Sequence, residues 1–299
     1  MSSWSISAHV NVPSVLDRKL VIVSGKGGVG KSAVAAALAL LANRQGRRVL
    51  VVSMSGDGGL AAHLTSGPLD YRPTELRPGL HAMAIDRSKA LTEYLQVQLG
   101  APSMARFGPL ARAFDALASA APGIREVVTI GKVLWEVRRR TWDLVVADAP
   151  PTGQVGSYLR APRTVRELVP TGRIREQAAW MEQILLTGEV CRLAVVTVPE
   201  ELPVNETLET LSWLQGEGVV ATPEVLANRV LPPLRASAKT VSALPSGPAR
   251  DAAELHLALR REQERWLEEL PPGRSLPYLF GLATPGEVAA RLADELEAM

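Results

Sequence analysis

The chain has 299 residues, 46% of them hydrophobic, and its 33 Lys and Arg stand against 31 Asp and Glu for a net charge of +2. That is apolar material for one sizeable core, and the charge is too balanced, with no basic block, to support a nucleic-acid partner. A single cysteine, Cys191, excludes a disulfide framework and any zinc site of paired thiolates, and reads as a free core thiol in a reducing cytoplasm. The opening MSSWSISAHVNVPSVLDRK lacks a basic start followed by an unbroken apolar stretch, and nowhere do about eighteen apolar residues run together, so a soluble, unexported protein is expected.

In chain order, short apolar runs recur: KLVIVS, RRVLVVS, LHAMAI, WDLVVAD, CRLAVVTV and PEVLANRV, with LPYLF a weaker seventh. Unbroken apolar runs of this length describe parallel strands covered on both faces, which predicts an α/β fold built on a doubly wound, mostly parallel sheet. An alanine-rich helix closed by Gly46 follows the first run. From Asp86 to Arg140 no strand signal occurs, and Met104, Phe107, Leu110, Phe114 and Leu117 fall at helical spacing, which predicts an inserted helical subdomain. Further helical pieces are expected from about Thr164 to Thr187 and from Pro248 to Leu270, the second preceded by a loop, LPPLRASAKTVSALPSGP. No internal repeat is present. Residues 1–299 therefore read as one domain: a core of about 17–85, 141–163, 191–231 and 275–299, a helical subdomain of about 86–140 and 164–190, and a helical and loop segment of 232–274.

The most informative stretch is SGKGGVGKSA, between the first strand and its helix. Gly25, Gly30, Lys31 and Ser32 satisfy G-x-x-x-x-G-K-[ST] in the strand-to-helix context that gives the pattern its meaning. Glycines let backbone N–H groups converge on phosphate oxygens, and the helix N-terminus adds a favourable dipole. Lys31 reaches the terminal phosphates and Ser32 ligates Mg²⁺. ATP or ADP is thus expected on Gly25, Gly27, Gly28, Val29, Gly30, Lys31, Ser32 and Ala33.

The second lysine of the turn, Lys26, makes GKGGVGKS resemble the deviant Walker A loop of the superfamily that includes MinD, ParA, the nitrogenase iron protein, ArsA and the tail-anchored-protein-targeting ATPases. The resemblance implies a dimer in which Lys26 acts in trans, on phosphates held by the other subunit. WDLVVADAPPTGQVGSYLRAP is similar to the second switch of the ArsA branch, with Asp148, Pro151, Thr152 and Gly153 matching and Gln154 where histidine is usual. By that resemblance Asp148 holds Mg²⁺, directly or through water, together with Ser32, and Asn228, in VLANRV, reads adenine. VVTVPEELPVNETLETLSWLQGEGV and APGIREVVTIGKVL resemble the same branch, so the likeness runs from Leu16 to about Leu296 and implies a bacterial ArsA-like protein.

The departures from that pattern are as informative as the matches. The first switch of the family reads D-P-A-H-S-L, its aspartate positioning the attacking water, and the aligned residue here is Ser55. Asp57 lies two residues on, a displacement of about 6 Å in extended chain, between flexible glycines that make precise placement costly. Binding with weak or no hydrolysis is therefore expected, the alternative being an active Mg-ATPase that uses Asp57 to drive targeting or transport of a client. After Asn228 no cysteine occurs, so neither the arsenite site nor the zinc-joined dimer of relatives is expected. The acidic GEVAARLADELEAM argues against a stable membrane anchor. A ParA- or MinD-like partition role lacks its basic surface. The expected partner is a second copy or an ArsA-like paralogue carrying the catalytic switch, with a protein client as a further partner.

Overall fold

The computed structural model describes residues 15–56, 58–65, 67–99, 123–221, 223–282 and 284–299. Eight strands, β1 (Leu20–Gly25), β2 (Val49–Ser53), β3 (Thr74–Arg77), β4 (Leu80–Ala84), β5 (Leu144–Asp148), β6 (Cys191–Thr197), β7 (Glu224–Val230) and β8 (Arg274–Pro277), form one sheet in the order β3-β4-β2-β5-β1-β6-β7-β8. All neighbours are parallel except β3 and β4. From β1 the chain winds first to one side and then, through β6, to the other. The crevice beyond the carboxyl end of β1 is thus the topological switch point where ligands bind in such sheets.

The helices are α1 (Lys31–Arg44), α2 (Gly59–Leu64), α3 (Arg87–Leu99), α4 (Ile124–Arg138), α5 (Thr152–Leu168), α6 (Arg173–Leu186), α7 (Glu201–Glu217), α8 (Ala238–Ser242), α9 (Pro248–Glu268) and α10 (Pro285–Glu297). Alternate strand residues serve opposite faces of the sheet. Val21, Val23, Val49, Val51 and Val146 join α1, α2 and α10 in one core cluster; Leu20, Ile22, Leu50, Val52 and Val145 join α4, α5, α6 and α7 in the other. This is why the strand sequences are apolar throughout rather than alternating.

α1 is buried without interruption from Ala33 to Ala42, because α10 covers it on the side away from the sheet. α10 starts at a capping box of Thr284 and Glu287 and buries Ala289, Leu292, Ala293 and Leu296 at helical spacing. On the other face α4 contributes Ile130, Val133 and Leu134 to the core. A buried ion network joins it to α3: Lys132 lies 2.8 Å from Glu93 Oε2 and 2.9 Å from Glu136 Oε1, Tyr71 donates to Glu93, and Trp142 Nε1 donates to Glu136 at 3.1 Å.

Three local expectations need correction. The last strand is RSLP rather than LPYLF: Leu276 is buried, and Tyr278 and Phe280 leave the sheet exposed and stacked on each other, ring centroids 4.7 Å apart. β3 carried no sequence signal because its four residues, TELR, are mostly exposed on an edge. The helical piece at 164–187 is two helices, α5 beginning earlier at Thr152 and α6 starting after a break at Pro170 to Gly172, where proline removes a donor and glycine takes a φ of 96°. Met104, Phe107, Leu110, Phe114 and Leu117 lie outside the described residues.

Candidate functional site

The first strand ends at Gly25, where a Cβ would lie 2.0 Å from the Val196 carbonyl oxygen, so only glycine lets β1 turn there beside β6. The turn closes at Gly30, whose φ of 94° is left-handed and whose added Cβ would meet Asn228 Nδ2 at 2.5 Å. α1 has no side-chain cap. Its first N–H groups therefore face the turn, which is the arrangement that favours an anion.

Lys31 Nζ donates to the Lys26 carbonyl oxygen at 3.2 Å, so the ammonium lies back along the loop. Ser32 Oγ donates to Asp148 Oδ2 at 2.7 Å. That bond joins the start of α1 to the end of β5, in register with Val23 of β1 and Ser53 of β2. Asp148 is only 6% exposed. A hydroxyl and a carboxylate meeting beside a phosphate-binding turn are hard oxygen donors suited to Mg²⁺.

The segment after Asp148 is held at several points. Ser24 Oγ donates to the Pro150 carbonyl at 2.7 Å in a buried bond, and Thr152, also buried, donates to Glu206 Oε1. The other oxygen of Glu206 is 3.2 Å from Lys26 Nζ. Gln154, in the position where histidine is usual in the resembled pattern, is exposed.

By contrast, Ser55 is exposed at the tip of β2 and faces the cavity. It precedes Gly56 and Gly58, with φ of 67° and 79°. Asp57 lies outside the described residues. On the far side Asn228, 4% exposed, donates from Nδ2 to the Val29 carbonyl at 2.9 Å. The turn and the end of β7 are thus locked together. Arg229 adopts a left-handed φ of 57°, and Gln263 of α9 pins that kink by donating to the Arg229 carbonyl at 3.1 Å and accepting from Leu231 N at 2.7 Å.

One open cavity of about 910 Å³ lies at the carboxyl edge of the sheet, lined on one side by Tyr278 and Leu279. Gly27, Gly28, Gly30, Lys31, Ser32, Ala33, Asp148 and Asn228, each singled out from the sequence, are brought together there. Gly25 and Val29 shape the loop beneath them, and Lys26 points away, toward α7. His63, Arg229, Tyr278 and Glu206 were not anticipated. His63 lines the cavity with Nδ1 2.9 Å from the Gly59 carbonyl, and no short pattern marks any of the four. Cys191 is fully buried, and burial pushes its thiol up to about 12. No helix among the described residues is long and apolar enough to cross a membrane.

The anion-transporting ATPase family model matches residues 18–177, more than half of the chain. ATPase BagA of Mycobacterium tuberculosis is 34% identical over 229 residues, covering 72% of this chain and 66% of the relative, so the chain spans just under two thirds of that protein's length. The ATPase ASNA1 homolog of Entamoeba dispar is 26% identical over 257 residues, 72% of this chain and 77% of the relative. ATPase GET3 of Phaeosphaeria nodorum is 30% identical over 209 residues, 68% of this chain and 62% of the relative. The family match therefore covers the glycine turn, both switch segments and Asp148 together, and the chain belongs to the ArsA family of anion-transporting ATPases.

Proposed function

We propose that the chain is an ATP- or ADP-binding subunit that holds Mg²⁺ through Ser32 and Asp148, pairs across a nucleotide with a second copy or an ArsA-like paralogue, and hydrolyses ATP slowly. The observation that carries this reading is a contrast within one cavity: a Ser32–Asp148 bond of 2.7 Å stands beside a complete glycine turn, while the first switch presents an exposed serine at position 55. Phosphoryl transfer depends on positioning, so a group that holds no water in line lowers turnover while leaving binding intact. Asn228, its Nδ2 engaged by Val29, keeps Oδ1 as an acceptor for the adenine amine. Mg²⁺ held by Ser32 and Asp148 would supply charge neutralisation to the phosphates of the bound nucleotide.

The proposed division is a nucleotide-binding core of about 17–85, 141–163, 191–231 and 275–299, a helical subdomain of about 86–140 and 164–190, and a helical and loop segment of 232–274. The test has two parts. Calorimetric titration with Mg-ATP and Mg-ADP should give binding that Lys31→Ala removes; equal binding by both proteins would sink the proposal. Multiple-turnover phosphate release should fall well below the usual enzymatic order of 1 to 10 per second. A rate in that range, lost in Asp57→Asn, would favour the active ATPase working through Asp57.

A further inference from the structure

We infer that Glu206 is a positioning residue that keeps Lys26 in its own subunit and competes for it with the phosphates of a nucleotide held by a partner; this rests on the reading, proposed above, that Lys26 acts in trans. Lys26 Nζ lies 3.2 Å from Glu206 Oε2, with the two side chains 25% and 31% exposed. In this conformation the ammonium is committed to α7, and Lys26 meets its own loop's function only through its carbonyl, which accepts from Lys31. A lysine held this way cannot serve a phosphate on another subunit until the ion pair opens.

An isolated surface pair of this kind is ordinarily weak, because two flexible side chains must be ordered to make it. Here one partner is ordered already. Glu206 uses its second oxygen to accept from the buried Thr152, the first residue of α5. Two turns further along α7, on the same face, Trp213 packs so closely on Gly156 of α5 that a Cβ there would lie 2.8 Å from the indole ring. The carboxylate is therefore presented to Lys26 from a helix docked at two points on the second switch. Its oxygens divide the work: one serves the loop lysine and the other the switch threonine.

The division specifies the variants. Glu206→Gln removes the charge that holds Lys26 and retains an oxygen for Thr152. Lys26→Ala removes the lysine that both ends of the competition require. In the nucleotide-free full-length protein, labelling of the Lys26 amine by an acetylating reagent, read by peptide mass spectrometry, should rise about two- to fivefold in Glu206→Gln, matching the release of a partly exposed ion pair. Unchanged Lys26 labelling overturns the inference. In Mg²⁺ with a non-hydrolysable ATP analogue, sedimentation velocity of the chain alone and with its paralogue should show Glu206→Gln pairing about fivefold more tightly, and no such gain in the Lys26→Ala background. Weaker or equal pairing by Glu206→Gln, with Lys26→Ala still weakening it, overturns the inference and leaves the trans reading standing. If no pair forms in any nucleotide state, the trans reading has failed and the competition falls with it, even where labelling changes.

Discussion

The two switch segments border the same cavity and differ in burial. The second, from Asp148 to Thr152, is buried and strapped: Ser32 to the Asp148 carboxylate, Ser24 to the Pro150 carbonyl, Thr152 to Glu206. In the first, Ser55, Gly56 and Gly58 are exposed, and both glycines are left-handed. At its root Met54 N donates to the Asp148 carbonyl at 3.0 Å and Gly56 N donates to Ser53 Oγ at 3.2 Å. A magnesium and phosphate site needs the strapped kind of segment, since it works by fixed charge. In-line water attack needs a fixed group on the other.

The largest effect should come from Lys31→Ala, which deletes the charge next to the phosphates and should weaken Mg-ATP binding by about 100-fold, since charge-assisted hydrogen bonds are the strong ones. Calorimetry checks it, and a loss of less than about threefold would show that the glycine turn does not carry the phosphates. Next is an attempt to restore a carboxylate to the first switch. Ser55→Asp should raise steady-state phosphate release about tenfold or more, because it returns a carboxylate to the position aligned with the family's water-orienting group. No gain would mean that the backbone of this loop, rather than the missing carboxylate, sets the rate.

A smaller effect sharpens the description of the strapped side. Gly156→Ala should lower unfolding free energy by about 1 kcal/mol in urea titration, since its Cβ must displace the half-exposed Trp213 ring. An unchanged midpoint would show that α5 and α7 are less firmly docked than Glu206 requires.

The smallest is a control behind the strapped face. Burial works to raise the Glu93 carboxyl, but hydrogen bonds from Lys132 and Tyr71 outweigh it and hold the group below the usual carboxylate range. A depressed carboxyl stabilises the fold above its unfolded value of about 4.3 and loses that contribution as pH falls through the lower folded value. Melting temperature should therefore drop between about pH 5 and 3, and less steeply in Glu93→Gln. Parallel curves for the two proteins would remove the network joining α3 and α4 from the acid response.

The residues differ in how much of this was legible without coordinates. The phosphate turn could be read from GKGGVGKS because its function depends on spacing along the chain, where glycines and one lysine must follow each other in a fixed order. The central strands could be read because a strand covered on both faces must be apolar at every position. Asp148 and Asn228 were reached through longer family-like segments, and the tertiary fold then placed them 116 and 199 residues from the partners they bond, Ser32 and Val29.

Other features left no local trace. β3 is an exposed polar edge with no hydrophobic pattern. The break between α5 and α6 was blurred by helical residues on both sides of it. Glu206 is one acidic residue among many on a helix, and it acquires meaning only where α7 lies against both Lys26 and Thr152. The sequence by itself determined the family, the parallel sheet and the phosphate-binding turn, since each is written in short-range order or in burial on both faces. Only the tertiary structure decided which side chains meet across that turn, how the segment after Asp148 is strapped, and where Lys26 rests, because those depend on how distant segments pack and no spacing along the chain encodes them.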